Sequence, residues 1–300
     1  MGLIFRMALT RTLRPKLVVL YLIINAAVTV VTALFVENLS GSPVLQGGVI
    51  SFNMYFAKLV FLWILGVSIL LWIAVHGIRM IGLEKKEGTL LLLVSKPVSR
   101  YRIILGKYFA LIFSALVVGV SSLFLDLSVI VLMFSPDPVI ILQLFKTIPF
   151  LSLYLLFLSF CTSAFSLSVS ILSKTLKKTY FVLSLIILFI YFGVPLLRPG
   201  VALYQELRFL LYFDINTHLS SIFHYFLSLP PGIILSPKIL WDLSDWYTGI
   251  LPSFLKIAWL QDYHIKLLVN PQLVLVIWLT VSMFVLGLSA RRFNKMDIME

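Results

Sequence analysis

Residues 83–108 read LEKKEGTLLLLVSKPVSRYRIILGKY. Positions 84–107 carry eight charged residues, in a chain of 300 of which only 12% are charged. Four consecutive leucines occupy the middle, at 90–93. Gly88-Thr89 can open a short helix, because a threonine hydroxyl accepts a bond from an unpaired amide at a helix start. Pro97 cannot continue one, so the spacing predicts a helix over 89–95 only. So short a helix is not stable alone in water. Its leucines need a surface, and two are open on this reading: the lipid interface or a partner protein.

Long apolar runs flank the stretch on both sides. The chain is 61% hydrophobic, with a mean hydropathy of +1.07, where soluble domains run at about 45–50% apolar. No single globular core hides that excess, so lipid must be the solvent for much of the surface. A span needs about 20 largely apolar residues, and backbone groups in lipid must be paired within their own segment, which makes the spans helical. Runs at 17–36, 59–78, 108–134, 147–173, 179–197 and 272–290 qualify. The expectation is an all-α integral membrane protein with one transmembrane domain over 1–300 and six transmembrane helices.

Charge sets the orientation. Segments 1–16, 76–107, 174–178 and 291–300 hold 17 of the 24 basic residues, with four acids, Glu84, Glu87, Asp297 and Glu300. The remainder holds seven basic residues and eight acids. Cytoplasmic loops collect Lys and Arg, so both termini and the 83–97 region are expected on the cytoplasmic side, at the plasma membrane. The net charge of +12 follows from the same rule. The basic residues lie between apolar runs rather than on one face, so no nucleic-acid partner is expected.

Two further segments stand out. Residues 1–16 set Leu3, Ile4, Met7 and Leu13 among Arg6, Arg11 and Arg14, which suits an interfacial helix ended by Pro15; a disordered basic tail is the alternative. Residues 198–270 form a long segment balanced at five basic and five acidic residues. Its apolar stretches are cut by Asp214, His218 and Pro230-Pro231. A large extracellular segment is expected, with helices at the outer face near Trp241, Trp246 and Trp259. Two additional spans there would also satisfy the charge rule.

The residues of the opening stretch carry a resemblance. Glu84, Gly88 and Thr89, then Leu91-Leu92, then Pro97-Val98-Ser99-Arg100, then 104–107 as ILGK, and the ending ARRFNKMDI at 290–298 together resemble the ABC-2-type transporter permeases. The stretch is similar to the branch that includes the permease of nitrous-oxide-reductase maturation. The resemblance implies that the second cytoplasmic segment carries a coupling helix seated in a groove of a separate ATP-hydrolysing subunit. Glu84, Gly88, Thr89, Leu91, Leu92, Pro97 and Arg100 would couple to that ATPase, with Gly106 and Lys107 completing the match. Lys85, Lys86 and Lys96 are this chain's own. It also implies export, and two permease chains, identical or different, working with two ATPase chains.

No G-x-x-x-x-G-K-[ST] phosphate loop occurs in the sequence, so ATP and magnesium belong to the partner. No catalytic residue, enzyme activity or cofactor is assigned to this chain. A second reading, from a different class, is a membrane anchor or assembly factor that binds other proteins through 198–270.

Two polar features lie inside the spans. Asp126 sits in the third, where a carboxylate usually faces a cavity or a partner. It either lines a translocation path or reaches a hydroxyl such as Ser122 and shapes packing. Ser159, Ser163, Ser166, Ser170 and Ser173 recur at intervals of four and three, one helical face of small residues. That face either packs closely, against the first span or across a dimer, or lines a polar path. The four histidines, the eight methionines and Cys161 are dispersed, so no metal site is expected.

Overall fold

The computed structural model describes residues 2–40, 48–88, 99–173, 175–195, 213–230 and 270–295, and these are helical apart from short links. The helices are α1 (Gly2–Thr12), α2 (Pro15–Ser40), α3 (Gly48–Leu59), α4 (Ile69–Lys86), α5 (Arg100–Phe134), α6 (Pro138–Leu172), α7 (Leu176–Leu188), α8 (Ile215–Leu227) and α9 (Pro271–Lys295). A wider π-helical stretch, Val60–Ser68, joins α3 to α4, and a second, Phe189–Gly193, extends α7. Six helices are long and apolar enough to cross a membrane: Pro15–Phe35, Tyr55–Lys86, Arg100–Phe134, Pro138–Leu172, Leu176–Gly193 and Pro271–Lys295. The protein is an all-α, multi-pass membrane protein, and each of these helices overlaps one of the six apolar runs.

Local chemistry sets the boundaries. Asp137 caps α6 by accepting from the Val139 amide at 2.9 Å, and Pro138 occupies the first helical position, where a missing N–H costs nothing. Pro15 plays the same part at the start of α2. It opens the first span, whereas α1 has already ended at Thr12. Between α5 and α6 the chain turns through Ser135, whose φ of 43° closes α5 in a left-handed conformation.

The second and fourth spans form the centre. In their most apolar windows 78% and 67% of residues are buried, against 17% for the first and fifth spans. α4 and α6 pack against each other, α5 and α9 flank α6, and α7 lies on α4. The serine face makes the α4–α6 seam. Ser166 Oγ donates to Ala74 O at 3.1 Å and Ser170 Oγ to Ile78 O at 2.8 Å, while the Gly82 amide donates to Ser170 Oγ at 3.0 Å. A Cβ on Gly77 would lie 2.2 Å from Ser166 Oγ, so only glycine admits this approach. At Ser166 and Ser170 the face packs on the second span. Small residues let backbones close in and hydroxyls then reach across to carbonyls. Ser159 and Ser163, higher on the same face, are fully buried, and their hydroxyls find no partner among the described residues.

The first span inverts the usual pattern. Its buried positions are Asn25, Thr29 and Ala33, while Val19, Leu20, Ile23, Ile24 and Val31 face outward. Lipid accepts the apolar face, and polar contacts seat the other on the bundle.

Within 198–270, residues 213–230 are described; Trp241, Trp246 and Trp259 lie outside the described residues. Asp214 caps α8 by accepting from the Asn216 and Thr217 amides at 2.8 and 3.2 Å. This helix does not stand apart from the spans. Gln272 Nε2 donates to Tyr225 Oη at 3.3 Å and Trp278 Nε1 to His218 Nδ1 at 3.4 Å, so α8 runs antiparallel along the first turns of α9. Its buried Phe223 lies between Phe61 and Tyr154, with ring centroids 5.3 and 5.1 Å apart.

Candidate functional site

The predicted coupling residues divide into two groups. Thr89, Leu91, Leu92 and Pro97, with the whole expected helix at 89–95, lie outside the described residues. Glu84, Gly88, Arg100, Gly106 and Lys107 are described, and they flank residues 89–98 on both sides.

Gly88 ends the second span. α4 closes at Lys86, Glu87 follows as its cap, and Gly88 takes φ +70°. This is the left-handed position that stops a helix and that glycine occupies without steric cost. The sequence reading had Gly88-Thr89 open a helix over 89–95, which lies outside the described residues; the structure gives Gly88 the further part of terminating the preceding span.

Glu84 lies one turn before that stop. Its Oε2 pairs with Nζ of Lys107, at the beginning of the third span, and its Oε1 accepts from Arg11 Nη1 of α1 at 3.2 Å. Lys107 is 3% exposed and also donates to Met80 O at 2.6 Å, one turn before Glu84 on the same face of α4. A buried ammonium is costly unless paired and hydrogen-bonded, and here it is both. The three charges thus tie α1, α4 and α5 together at the loop end of the bundle.

Gly106 and Arg100 extend the joint. A Cβ on Gly106 would meet Ile4 Cγ2 at 3.1 Å, so α1 lies close against the first turns of α5. Ile4, Ala8 and Thr12 form the buried face of α1, and Leu3 and Met7 point outward. Arg100 Nη1 donates to Phe293 O at 2.9 Å and to Asn294 O at 3.2 Å. These carbonyls lie at the C-terminal end of the described part of α9, where a cation meets the negative end of the helix dipole. Ser99 holds the cap position of α5 but makes no side-chain capping bond.

Asp126 is fully buried between the first and third spans. Thr29 Oγ1 donates to its Oδ1 at 2.8 Å and Ser122 Oγ to its Oδ2 at 3.0 Å. The Ser122 bond is the contact the packing reading expected. Thr29 was not singled out from the sequence, although its place on α2 four residues after Asn25 marks a polar stripe. The Arg11 and Arg100 contacts escaped as well, since each joins positions more than 70 residues apart.

The model of a family described as "ABC-2 family transporter protein" matches residues 69–298. No curated protein matches the chain. The matched region runs from the second span through its flanking loop to the end of the last, and so includes Glu84, Gly88, Arg100 and Lys107. The chain belongs to the ABC-2 family of transporter proteins.

Proposed function

We propose that this chain is the permease subunit of an ATP-driven exporter in the plasma membrane. A separate ABC ATPase subunit binds ATP and magnesium, and two permease chains assemble with two ATPase chains. The 89–98 loop docks in the ATPase, on the side where both termini lie, and closure of the ATPase on the loop moves the spans.

The observation that supports this reading is the bracing of both loop ends. Gly88 and Glu84 close the second span, and Arg100 and Lys107 open the third. Through Lys107–Glu84–Arg11 and the Arg100 bonds to the described end of α9, a push on the loop reaches α1, α4, α5 and α9 together. A flexible interfacial loop has no use for so stiff a mounting.

The test is co-purification of an ATPase carrying the phosphate-loop motif. Leu91→Asp and Leu92→Asp should release that subunit while the permease keeps its thermal midpoint. Glu84 is a poor probe, because its carboxylate also holds the permease together. Retention of the ATPase at wild-type affinity by both leucine variants would sink the assignment.

A further inference from the structure

We propose that the cavity between the ends of α4 and α6 and the start of α7 is a binding site for a phosphate-class anion, with an anionic phospholipid head group as its occupant. The cavity measures about 540 Å³. Lys85 and Lys86 from the end of α4, and Lys177 and Lys178 from the first turn of α7, line it together. Among the described residues, no acidic side chain lines it. Glu84, the nearest acid before Lys85 in the chain, is directed to Arg11 and Lys107.

The remaining walls fit the same chemistry. The cavity opens at the start of α7, where Thr175 makes no side-chain capping bond, and helix starts favour anions. Ile78 and Leu176 are the apolar side chains among its lining. The position is where the second and fourth spans end and the fifth begins, the level at which head groups meet basic side chains. Four exposed lysines line one cavity; like charges so placed repel one another, and a phosphate among them relieves that repulsion. The cavity's place where the second and fourth spans end and the fifth begins, at head-group level, favours a lipid over a soluble ion. Lys85 and Lys86 thereby gain a role distinct from contact with the ATPase.

The experiment uses the full purified chain in nanodiscs containing phosphatidylglycerol and phosphatidylcholine, with retained lipid counted by native mass spectrometry. Wild type should retain phosphatidylglycerol selectively. Each Lys→Gln change at 85, 86, 177 or 178 should weaken retention about fivefold, and Arg replacements should preserve it. Arg291→Gln with Arg292→Gln removes two exposed cations from α9 and serves as the control for net charge; it should leave retention unchanged. In phosphatidylcholine nanodiscs, lysine-dependent protection by inorganic phosphate would support the site with a soluble phosphate as its occupant. The proposal is overturned if the lysine variants retain phosphatidylglycerol as wild type does, or if the arginine control loses it equally. Release of the ATPase subunit with lipid retention intact would also overturn it, by assigning the lysines to a protein interface.

Discussion

Lys107, 3% exposed at the start of the third span, pairs with Glu84 at the end of the second and takes Met80 O as a further acceptor at 2.6 Å. Removing one member of such a pair leaves the other charged and stranded, which costs about 3–5 kcal/mol. Glu84→Ala should therefore lower the thermal midpoint sharply. Glu84→Gln combined with Lys107→Met should be more stable than Glu84→Ala alone, since no buried unpaired charge remains and the half-exposed Arg11 is left to solvent. Thermal unfolding of the two variants in detergent checks the order, and equal midpoints would refute it.

Gly88 holds φ +70°, with nothing among the described residues within 4 Å of where a Cβ would stand. The penalty for Gly88→Ala is therefore conformational rather than steric, about 1–2 kcal/mol. Gly88→Asn should be milder, because asparagine tolerates the left-handed region. Hydrogen exchange at the end of α4 should rise in the order Gly, Asn, Ala.

The α4–α6 seam gives a double-mutant prediction. Gly77→Ala drives a methyl into Ser166, whose Oγ and Cβ would lie 2.2 and 2.8 Å away. Overpacking of this kind costs about 1–3 kcal/mol. Ser166→Ala removes the nearer clash, so the pair should lose less than the sum of the two single changes. Additive losses in thermal unfolding would show that the seam yields independently at the two positions.

Asp126 accepts from two hydroxyls and, among the described residues, has no cationic partner. An asparagine can keep an acceptor in place and let the hydroxyls reorient. Asp126→Asn should preserve the fold, whereas Thr29→Ala should cost about 1 kcal/mol and loosen the first span. Cysteine accessibility along α2 reports that loosening. Near-complete loss of folded protein with Asp126→Asn would contradict the packing role.

Arg100→Gln should release the described end of α9. Its guanidinium is bonded to the carbonyls of Phe293 and Asn294, where net contributions for charged hydrogen bonds are about 1.5–3 kcal/mol. Hydrogen exchange at 293–295 should accelerate in the variant while α6 stays protected.

The six spans were legible because a lipid core imposes a local rule: about 20 apolar residues, paired within their own segment. The caps follow equally local rules, since Asp137 and Pro138 need only their neighbours to start a helix, but neither was picked out from the sequence, and Gly88 was read with Thr89 as the opening of the next helix. The serine face also showed in the sequence, as a spacing of four and three. Its partner did not, because any span can present a small residue; only the assembled bundle brings Gly77 beneath Ser166. The loop-end joint was hidden more deeply. Sequence marks Glu84, Arg100 and Lys107 as unusual charges beside a membrane, but charge alone does not say whether such groups face solvent, lipid or one another. Arg11 and Glu84 are 73 positions apart, and Arg100 and Phe293 are 193 apart. Which ends meet follows from how helices pack, a sum over many weak contacts, and that sum was decided by the tertiary structure.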